Sequence, residues 1–201
     1  MNKILKILGY LKLMIYKLEG ANIKFNFTVF FHPKSKIIVK NKNSKIVFKD
    51  NCNIAKGCRI IVDENAEASL GKSVTILENC YIEIGKNAKL NINEDSFLNE
   101  NCRIVCLEEI DIGQNVAIGP EVAFFDNDHI MKKSGKQDWN IFKSSKIIIG
   151  DNVWIGAKSI ILRGSIIEDN SAVAAMSVIK FKVCKNNIFY TNIEKRFKEI
   201  I

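Results

Sequence analysis

The sequence predicts an all-β fold in which short parallel strands coil into a solenoid. Large aliphatic residues recur at a spacing of six, at Ile149, Ile155, Ile161, Ile167, Val173 and Ile179. A serine stands two residues before each of the last four, at Ser159, Ser165, Ser171 and Ser177. Neither a helix with its 3.6-residue period nor a flat strand with its period of two produces this pattern. We expect each six-residue unit to form one side of a triangular coil, so that three units close a turn of eighteen residues.

The length and composition fit one globular domain. The chain has 201 residues, of which 47% are hydrophobic, and it has only two prolines. Its formal net charge is +8, which suits a polyanionic ligand, although scattered lysines are also typical of a plain solvated surface. No compact block of Lys and Arg is interleaved with aromatic residues, so we expect no nucleic-acid partner.

The cysteines follow the repeat. Four of the six occupy the small-residue position two residues before an aliphatic, namely Cys52, Cys58, Cys80 and Cys102. Buried free cysteine behaves as a small hydrophobe, so we expect these residues to fill the coil wall and we expect no metal site. Retained thiols favour a reducing cytoplasm, but six cysteines could also pair if the chain were exported.

Residues 1–19 are predicted to form a separate amphipathic helix, because aliphatic residues alternate with lysines there. The uncharged runs are far shorter than the roughly 20 residues of a transmembrane helix. Lys6 and Lys12 also interrupt what would be the apolar region of a signal peptide. Two alternatives remain: a plug over the open end of the solenoid, and a basic helix lying on an anionic membrane. An open end must be covered in any case, so the plug is favoured.

The repeat divides the remaining chain into three parts. Residues 20–183 are predicted to form the solenoid, with slips of a few residues between its repeat blocks. The period stops over residues 125–145, which predicts a loop that protrudes from the coil wall, and long excursions of this kind are commonly functional. Residues 184–201 form a tail, in which residues 192–201 are predicted to be a short helix.

The motif IGDNVWIGA at residues 149–157, followed by SVI at residues 177–179, resembles the closing coils of the hexapeptide-repeat acyltransferases. The resemblance covers about residues 46–182. It implies a left-handed parallel β-helix, acetyl-CoA as co-substrate, and a homotrimer with the cofactor cleft between neighbouring chains. Within the family, the chain resembles the bacterial sugar O-acetyltransferases, which act on capsule, lipopolysaccharide or exopolysaccharide units.

Only two histidines are present, and His129 lies within the excursion. Acyl transfer to a hydroxyl needs a base that is effective near neutral pH, and imidazole meets that need. From the residues alone, a catalytic base and an ordinary exposed loop histidine are equally good interpretations. The resemblance implies that His129 is the catalytic base. We expect Asp126 to orient its second nitrogen, Asn127 and Trp154 to contact the acceptor, and His32 to be structural.

The resemblance also implies a set of cofactor-binding residues. An aromatic ring lines the cleft, small residues let the pantetheine arm approach backbone amides, and lysines meet the phosphates. The residues in these positions are Trp154, Gly156, Ala157, Ala175, Lys180 and Lys182.

The predicted function is acetyl transfer from acetyl-CoA to a saccharide hydroxyl, directly and without an acyl-enzyme, in the cytoplasm or at the inner face of the membrane. An N-acetyltransferase acting on an amino-sugar nucleotide is the alternative and uses the same base. A carbonic-anhydrase-like enzyme needs three histidine ligands, and the chain has two. A purely structural solenoid would carry exposed Ser or Thr ladders and no histidine excursion.

Overall fold

The computed structural model describes residues 3–191 and shows one helix followed by a parallel solenoid. Helix α1 (Lys3–Leu18) precedes about seven turns that match a left-handed β-helix. The predicted all-β fold class is therefore confirmed.

Each turn contributes one short strand to each of three faces, visited in the order 1, 2, 3. Face 1 contains β1 (Ile23–Lys24), β4 (Lys45–Phe48), β7 (Glu67–Leu70), β10 (Lys89–Ile92), β13 (Glu109–Ile112), β18 (Ile147–Ile149), β21 (Ile166–Ile167) and β24 (Lys182–Val183). Face 2 contains β2 (Phe30–Phe31), β5 (Asn53–Ile54), β8 (Thr75–Ile76), β11 (Phe97–Leu98), β14 (Ala117–Ile118), β19 (Trp154–Ile155), β22 (Ala172–Val173) and β25 (Ile188–Phe189). Face 3 contains β3 (Lys36–Val39), β6 (Arg59–Val62), β9 (Tyr81–Ile84), β12 (Arg103–Cys106), β15 (Ala123–Phe125), β20 (Ile160–Leu162) and β23 (Val178–Ile179).

The length of a turn changes along the chain. Near the C-terminus, the paired residues Ile148 and Ile166 are 18 positions apart, as the six-residue period predicts. Nearer the N-terminus, the paired residues Arg59 and Tyr81 are 22 positions apart. The additional residues lengthen the strands of faces 1 and 3 to four residues there, and this change in turn length explains the slips in the repeat.

The core follows from the alternation of large and small residues. The aliphatic residues of the repeat are buried, and the four serines of the small position are buried beside them. The Ser165 hydroxyl donates to the carbonyl oxygen of Ile179 on the next coil at 3.0 Å, and the Cys52 thiol donates to the Gly71 oxygen at 3.0 Å. The predicted role of the cysteines as wall residues is confirmed, since only Cys184 is exposed.

The corners of the coil need a residue that tolerates the left-handed region of φ. Asparagine does so more readily than most residues, because its short side chain can hydrogen-bond locally. Between residues 3 and 191, nine asparagines take positive φ: Asn51, Asn65, Asn79, Asn87, Asn101, Asn115, Asn152, Asn170 and Asn186.

Helix α1 closes the N-terminal end of the solenoid. Leu13 is fully buried in the core, and a side chain at Gly9 would collide with the Phe31 carbonyl. The Lys12 ammonium donates to the carbonyl oxygens of Pro33 at 2.7 Å and Ser35 at 2.8 Å. Of the two alternatives for this helix, the contacts therefore agree with the plug over the open end of the solenoid. Within residues 3–191, no helix is long and apolar enough to cross a bilayer.

The excursion is an antiparallel hairpin of β16 (Asn127–His129) and β17 (Phe142–Ser144). At the other end, β25 pairs with β22 and extends the solenoid to Phe189, beyond the boundary at residue 183 that the fading repeat suggested. The predicted terminal helix at 192–201 lies outside the described residues.

Candidate functional site

The hairpin leaves the solenoid at the edge between faces 3 and 1, directly after β15. Asp126 fastens its base, because its buried carboxylate accepts the backbone N–H groups of Leu107 and Glu108, both at 2.7 Å. The Ser145 N–H donates to the Asp126 carbonyl oxygen at 2.8 Å on the returning strand. One residue therefore ties both ends of the hairpin to the preceding coil.

These contacts differ from the expectation that Asp126 would hold the imidazole of His129. Each carboxylate oxygen accepts an amide of the neighbouring coil, so Asp126 fixes the backbone from which His129 extends. Burial, and then the charge of Asp126, raise the pKa of the Cys106 thiol. Cys106 is thereby kept as a neutral wall residue.

His129 is exposed on β16, and its ring packs edge-on against Trp139 with centroids 5.8 Å apart. The side chain of Trp139 is itself largely exposed. Sequence reasoning assigned Trp139 no role, although a large aromatic residue in a polar excursion was the available signal. The indole contacts one side of the imidazole, while His129 as a whole stays exposed.

An ion cluster ties the hairpin to the later coils. Asp128 Oδ2 lies 2.6 Å from Arg163 Nε and 3.1 Å from Lys180 Nζ. The hydrogen bond from Arg163, followed by that from Lys180, lowers the pKa of Asp128. Nothing in the repeat pattern marks Arg163, because its partner is 35 residues away in sequence. The next lysine, Lys182, pairs with Glu168 at 2.6 Å, and this hydrogen bond raises the pKa of Lys182.

The edge between faces 2 and 3 carries a pair of free backbone donors. Among residues 3–191, the N–H groups of Ala157 and Ala175 have no acceptor. The two residues occupy equivalent positions in consecutive coils. In earlier coils, the register of face 2 places larger residues at this position, namely Lys56, Glu78, Glu100 and Pro120. The two residues have small side chains, and Ala157 is half-buried while Ala175 is exposed.

Trp154 lies beside this edge on face 2. The residue is 54% exposed, and its register neighbours on the coils before and after are the small residues Ala117 and Ala172. Gly156 is buried, and a side chain there would collide with the backbone of Ala175. The glycine is therefore needed for close stacking of the coils, and the same stacking sets the spacing of the Ala157 and Ala175 amides.

The predicted site residues fall into two groups on different edges of the prism. Trp154, Ala157 and Ala175 lie on face 2 or at the edge between faces 2 and 3. His129 and Lys180 lie at the edge between faces 3 and 1, with Lys182 following on face 1. In a triangular section that second edge is opposite face 2, so a single chain does not bring the two groups together.

Two further predicted residues have internal partners. The Asn127 side chain donates to Asp126 Oδ1 at 3.2 Å and to the Val105 oxygen at 3.5 Å, so its role with the acceptor stays a prediction. His32 Nδ1 accepts the Lys34 N–H at 3.0 Å, and partial burial lowers the pKa of His32. This local turn agrees with the structural role expected for His32.

Comparison with known proteins identifies the repeat. Residues 146–180 match the family model described as bacterial transferase hexapeptide (six repeats). A galactoside O-acetyltransferase of Escherichia coli (strain K12) is 36% identical over 70 residues, 35% of this chain and 34% of the relative. A second protein of that strain, predicted to be a lipopolysaccharide biosynthesis O-acetyl transferase, is 28% identical over 93 residues, 42% of this chain and 47% of the relative.

Solved structures agree with the sequence relatives. The crystal structure of a hexapeptide-repeat-containing acetyltransferase from Vibrio cholerae is 30% identical and has a TM-score of 0.54, covering 59% of this chain and 65% of that one. The matched stretches thus span between a third and two thirds of these relatives. The chain carries the bacterial transferase hexapeptide repeat on a left-handed β-helix and is similar to the hexapeptide-repeat acetyltransferases.

Proposed function

We propose that this protein transfers an acetyl group from acetyl-CoA to a hydroxyl group of a saccharide. The observation that carries the proposal is the exposed His129, held on a fastened hairpin beside coils that match the transferase repeat. The names of the two E. coli relatives, one for galactosides and one for lipopolysaccharide, support a sugar acceptor.

His129 acts as the general base in this proposal. Its imidazole takes the proton of the acceptor hydroxyl as the oxygen attacks the thioester carbon; the C–S bond then breaks, and the imidazolium returns the proton to the leaving CoA thiolate. Asp126 is a positioning residue, because it fixes the hairpin backbone through the amides of Leu107 and Glu108. Trp139 limits the rotation of the imidazole by edge contact. Asn127 and Trp154 are the proposed contacts of the acceptor.

The residues of the edge between faces 2 and 3 fit the acyl donor. Acetyl-CoA supplies a thioester carbonyl at the end of a thin, flexible arm. The free N–H groups of Ala157 and Ala175 can donate to its oxygens, including the one on which negative charge develops, and Trp154 offers a flat apolar surface beside them. Lys180 and Lys182 would hold its phosphates, exchanging their partners Asp128 and Glu168 for stronger anions.

A homotrimer completes this site. His129 and Lys180 are on the edge opposite face 2, so they can meet Trp154 and Ala175 only across a contact between two copies of the chain. Three prisms packed side by side would form three equal clefts, each with one edge from either copy. Light scattering should therefore show a trimer, and an active monomer would contradict this arrangement.

The experiment that tests the activity is mass spectrometry of neutral and acidic oligosaccharides after incubation with acetyl-CoA. His129→Ala should lower the transfer rate by about 10² to 10⁴, the usual contribution of a general base, with little change in acetyl-CoA affinity. His32→Ala is the matched control and should retain nearly full activity. Full activity in the His129 variant would reject the base, and transfer only to amino sugars would favour the N-acetyltransferase alternative.

We also propose that helix α1 rests on an anionic membrane surface. Its face opposite Leu13 carries a continuous stripe of aliphatic side chains that are 47–81% exposed: Ile4, Ile7, Leu8, Leu11, Ile15 and Leu18. The helix contains four lysines and no acidic residue. An apolar stripe flanked only by positive charge is typical of a helix lying in the membrane interface. The plug and the membrane contact therefore use opposite faces of one helix.

Vesicle sedimentation tests this placement. Intact protein should bind vesicles that contain phosphatidylserine and bind poorly to neutral phosphatidylcholine vesicles. Leu11→Glu should weaken that binding by about tenfold or more, because one aliphatic side chain is no longer buried in lipid. Ile188→Glu changes an exposed aliphatic residue at the other end of the solenoid and serves as the control. Equal binding by both variants would reject the proposal.

A further inference from the structure

Face 3 carries an outward row of basic side chains and one tyrosine. Lys36, Arg59, Tyr81 and Arg103 are Cα register partners on the consecutive strands β3, β6, β9 and β12. Neighbouring strands lie about 4.8 Å apart, so the row spans about 14 Å. We call these four residues the cationic ladder.

The cations of the ladder differ in their ion pairing from several other cations of the coil wall. Several lysines elsewhere on the wall pair with carboxylates of a neighbouring coil, as in Lys40–Asp63, Lys86–Glu64, Lys146–Glu109 and Lys182–Glu168. Within residues 3–191, no ion pair involves Lys36, Arg59 or Arg103. Lys36 and Arg59 are direct register partners, and like charges in that position destabilise a sheet. A bound polyanion would remove this repulsion.

Tyr81 organises the centre of the ladder. The guanidinium of Arg103 stacks over its ring at 4.6 Å from the centroid, which holds the planar group within the row. The Tyr81 hydroxyl donates to Glu83 Oε2 at 2.6 Å. Glu83 lies two positions after Tyr81 on β9, in the next outward-facing row of face 3. The hydrogen bond therefore directs its carboxylate to the tyrosine hydroxyl. The guanidinium groups thus stay available to a ligand.

We infer that the cationic ladder binds a linear saccharide that carries carboxylates, and that it guides this acceptor towards the hairpin. This inference rests on the proposed function and names the substrate class. Guanidinium groups bind carboxylates with two parallel hydrogen bonds, and regularly spaced rungs suit a polymer with regularly spaced charges. The ladder leads towards the hairpin because its last strand, β12, pairs with β15, and the hairpin that carries His129 follows β15 in the chain.

The ladder does not suit a single-stranded nucleic acid. Such sites stack successive bases on several aromatic rings along a basic groove. The ladder has one ring, and Arg103 covers a face of it. Carboxylates, which need charge and hydrogen-bond donors but no stacking surface, are therefore the better match.

A direct binding measurement tests the inference without acetyl-CoA, so its result is independent of catalysis. The probe is a fluorescently labelled oligogalacturonate, compared by anisotropy with a maltooligosaccharide and a single-stranded DNA of similar length. Wild type should bind the oligogalacturonate best, and the affinity should fall as NaCl is raised from low concentration. Arg59→Gln combined with Arg103→Gln should weaken binding by about 5- to 30-fold, as expected for two exposed charge contacts.

Matched variants distinguish binding at the ladder from non-specific attraction to a basic surface. Lys72→Gln combined with Lys89→Gln removes the same charge from exposed positions away from face 3 and should bind like wild type. Arg103→Lys keeps the charge but loses the planar stack, and should bind with intermediate affinity.

Three outcomes would overturn the inference. The first is equal weakening by the two double variants, which would indicate non-specific charge. The second is equal or tighter binding of DNA, which would make the ladder a general polyanion surface. The third is that the Arg59 and Arg103 double variant changes the oligomeric state but binds oligogalacturonate like wild type. The ladder would then be a contact between copies of the chain. Loss of acetyl transfer with oligogalacturonate binding intact would instead reject only the proposed function.

Discussion

Replacing Asp126 with alanine should release the base of the hairpin that carries His129. The side chain is fully buried, and its two oxygens accept the N–H groups of Leu107 and Glu108 at 2.7 Å each. Alanine removes both acceptors and gives water no direct access to the two amides. The variant therefore tests whether one carboxylate fixes the excursion, as the contacts indicate.

The expected loss follows from these two hydrogen bonds. A hydrogen bond to a charged group contributes about 1.5 to 3 kcal/mol, and the two bonds share one carboxylate, so the free energy of unfolding should fall by about 3 to 5 kcal/mol. For a chain of this size that corresponds to a decrease in Tm of about 6 to 20 °C. Asp126→Asn keeps one acceptor oxygen but turns a donor towards the other N–H, so about half of this loss is expected.

Thermal unfolding and hydrogen exchange measure the effect. The amides of residues 107 and 108 should exchange faster in the alanine variant, and acetyl transfer should fall because His129 loses its fixed backbone. Asp138→Asn, which changes another carboxylate of the same excursion, is the control and should leave Tm nearly unchanged. An alanine variant with wild-type Tm and unchanged exchange at residues 107 and 108 would refute the anchoring role of Asp126.

Three other predictions concern the plug, the ion cluster and the thiols. Gly9→Ala should lower Tm despite the better helix propensity of alanine, because its side chain would collide with the Phe31 carbonyl. The lowered pKa of Asp128 means that its contribution to stability is present above the ordinary aspartate value of 3.8 and is lost as the pH falls through the folded-state value. Asp128→Asn should therefore reduce the acid sensitivity of hairpin protection in hydrogen exchange. A thiol reagent should modify one cysteine of the native protein rapidly, and Cys184→Ser should abolish that reaction.

The residue pattern was sufficient to predict the architecture. Alternation of large and small residues at a period of six is a local property, so the coil, its buried serines and cysteines, and the excursion followed from it. The helix at residues 1–19 was likewise predicted by its periodicity, and the structure adds that Leu13 faces the solenoid while the aliphatic stripe faces outward. The continuation of the coil to Phe189 was missed, because the repeat there lacks regular aliphatics.

The contacts of the site were less accessible from the sequence. His129 and Trp154 were selected from residue type and resemblance, and these assignments stay predictions. The partners of Asp126 were not predicted, because a loop carboxylate beside a histidine suggested a bond to the imidazole. The ion pair of Arg163 with Asp128 and the packing of Trp139 on the His129 ring join residues with no common sequence pattern.

By itself, the sequence determined that this chain coils, where the coil is interrupted and which residues fill its core, because the six-residue period depends only on neighbouring positions. Tertiary structure decided which residues meet across coils. The turn length changes from 22 to 18 residues, so no fixed period relates a side chain to the one stacked on it. The cationic ladder and the separation of His129 from the Ala175 edge are both consequences of that stacking, and both depend on register and on the three faces of the prism.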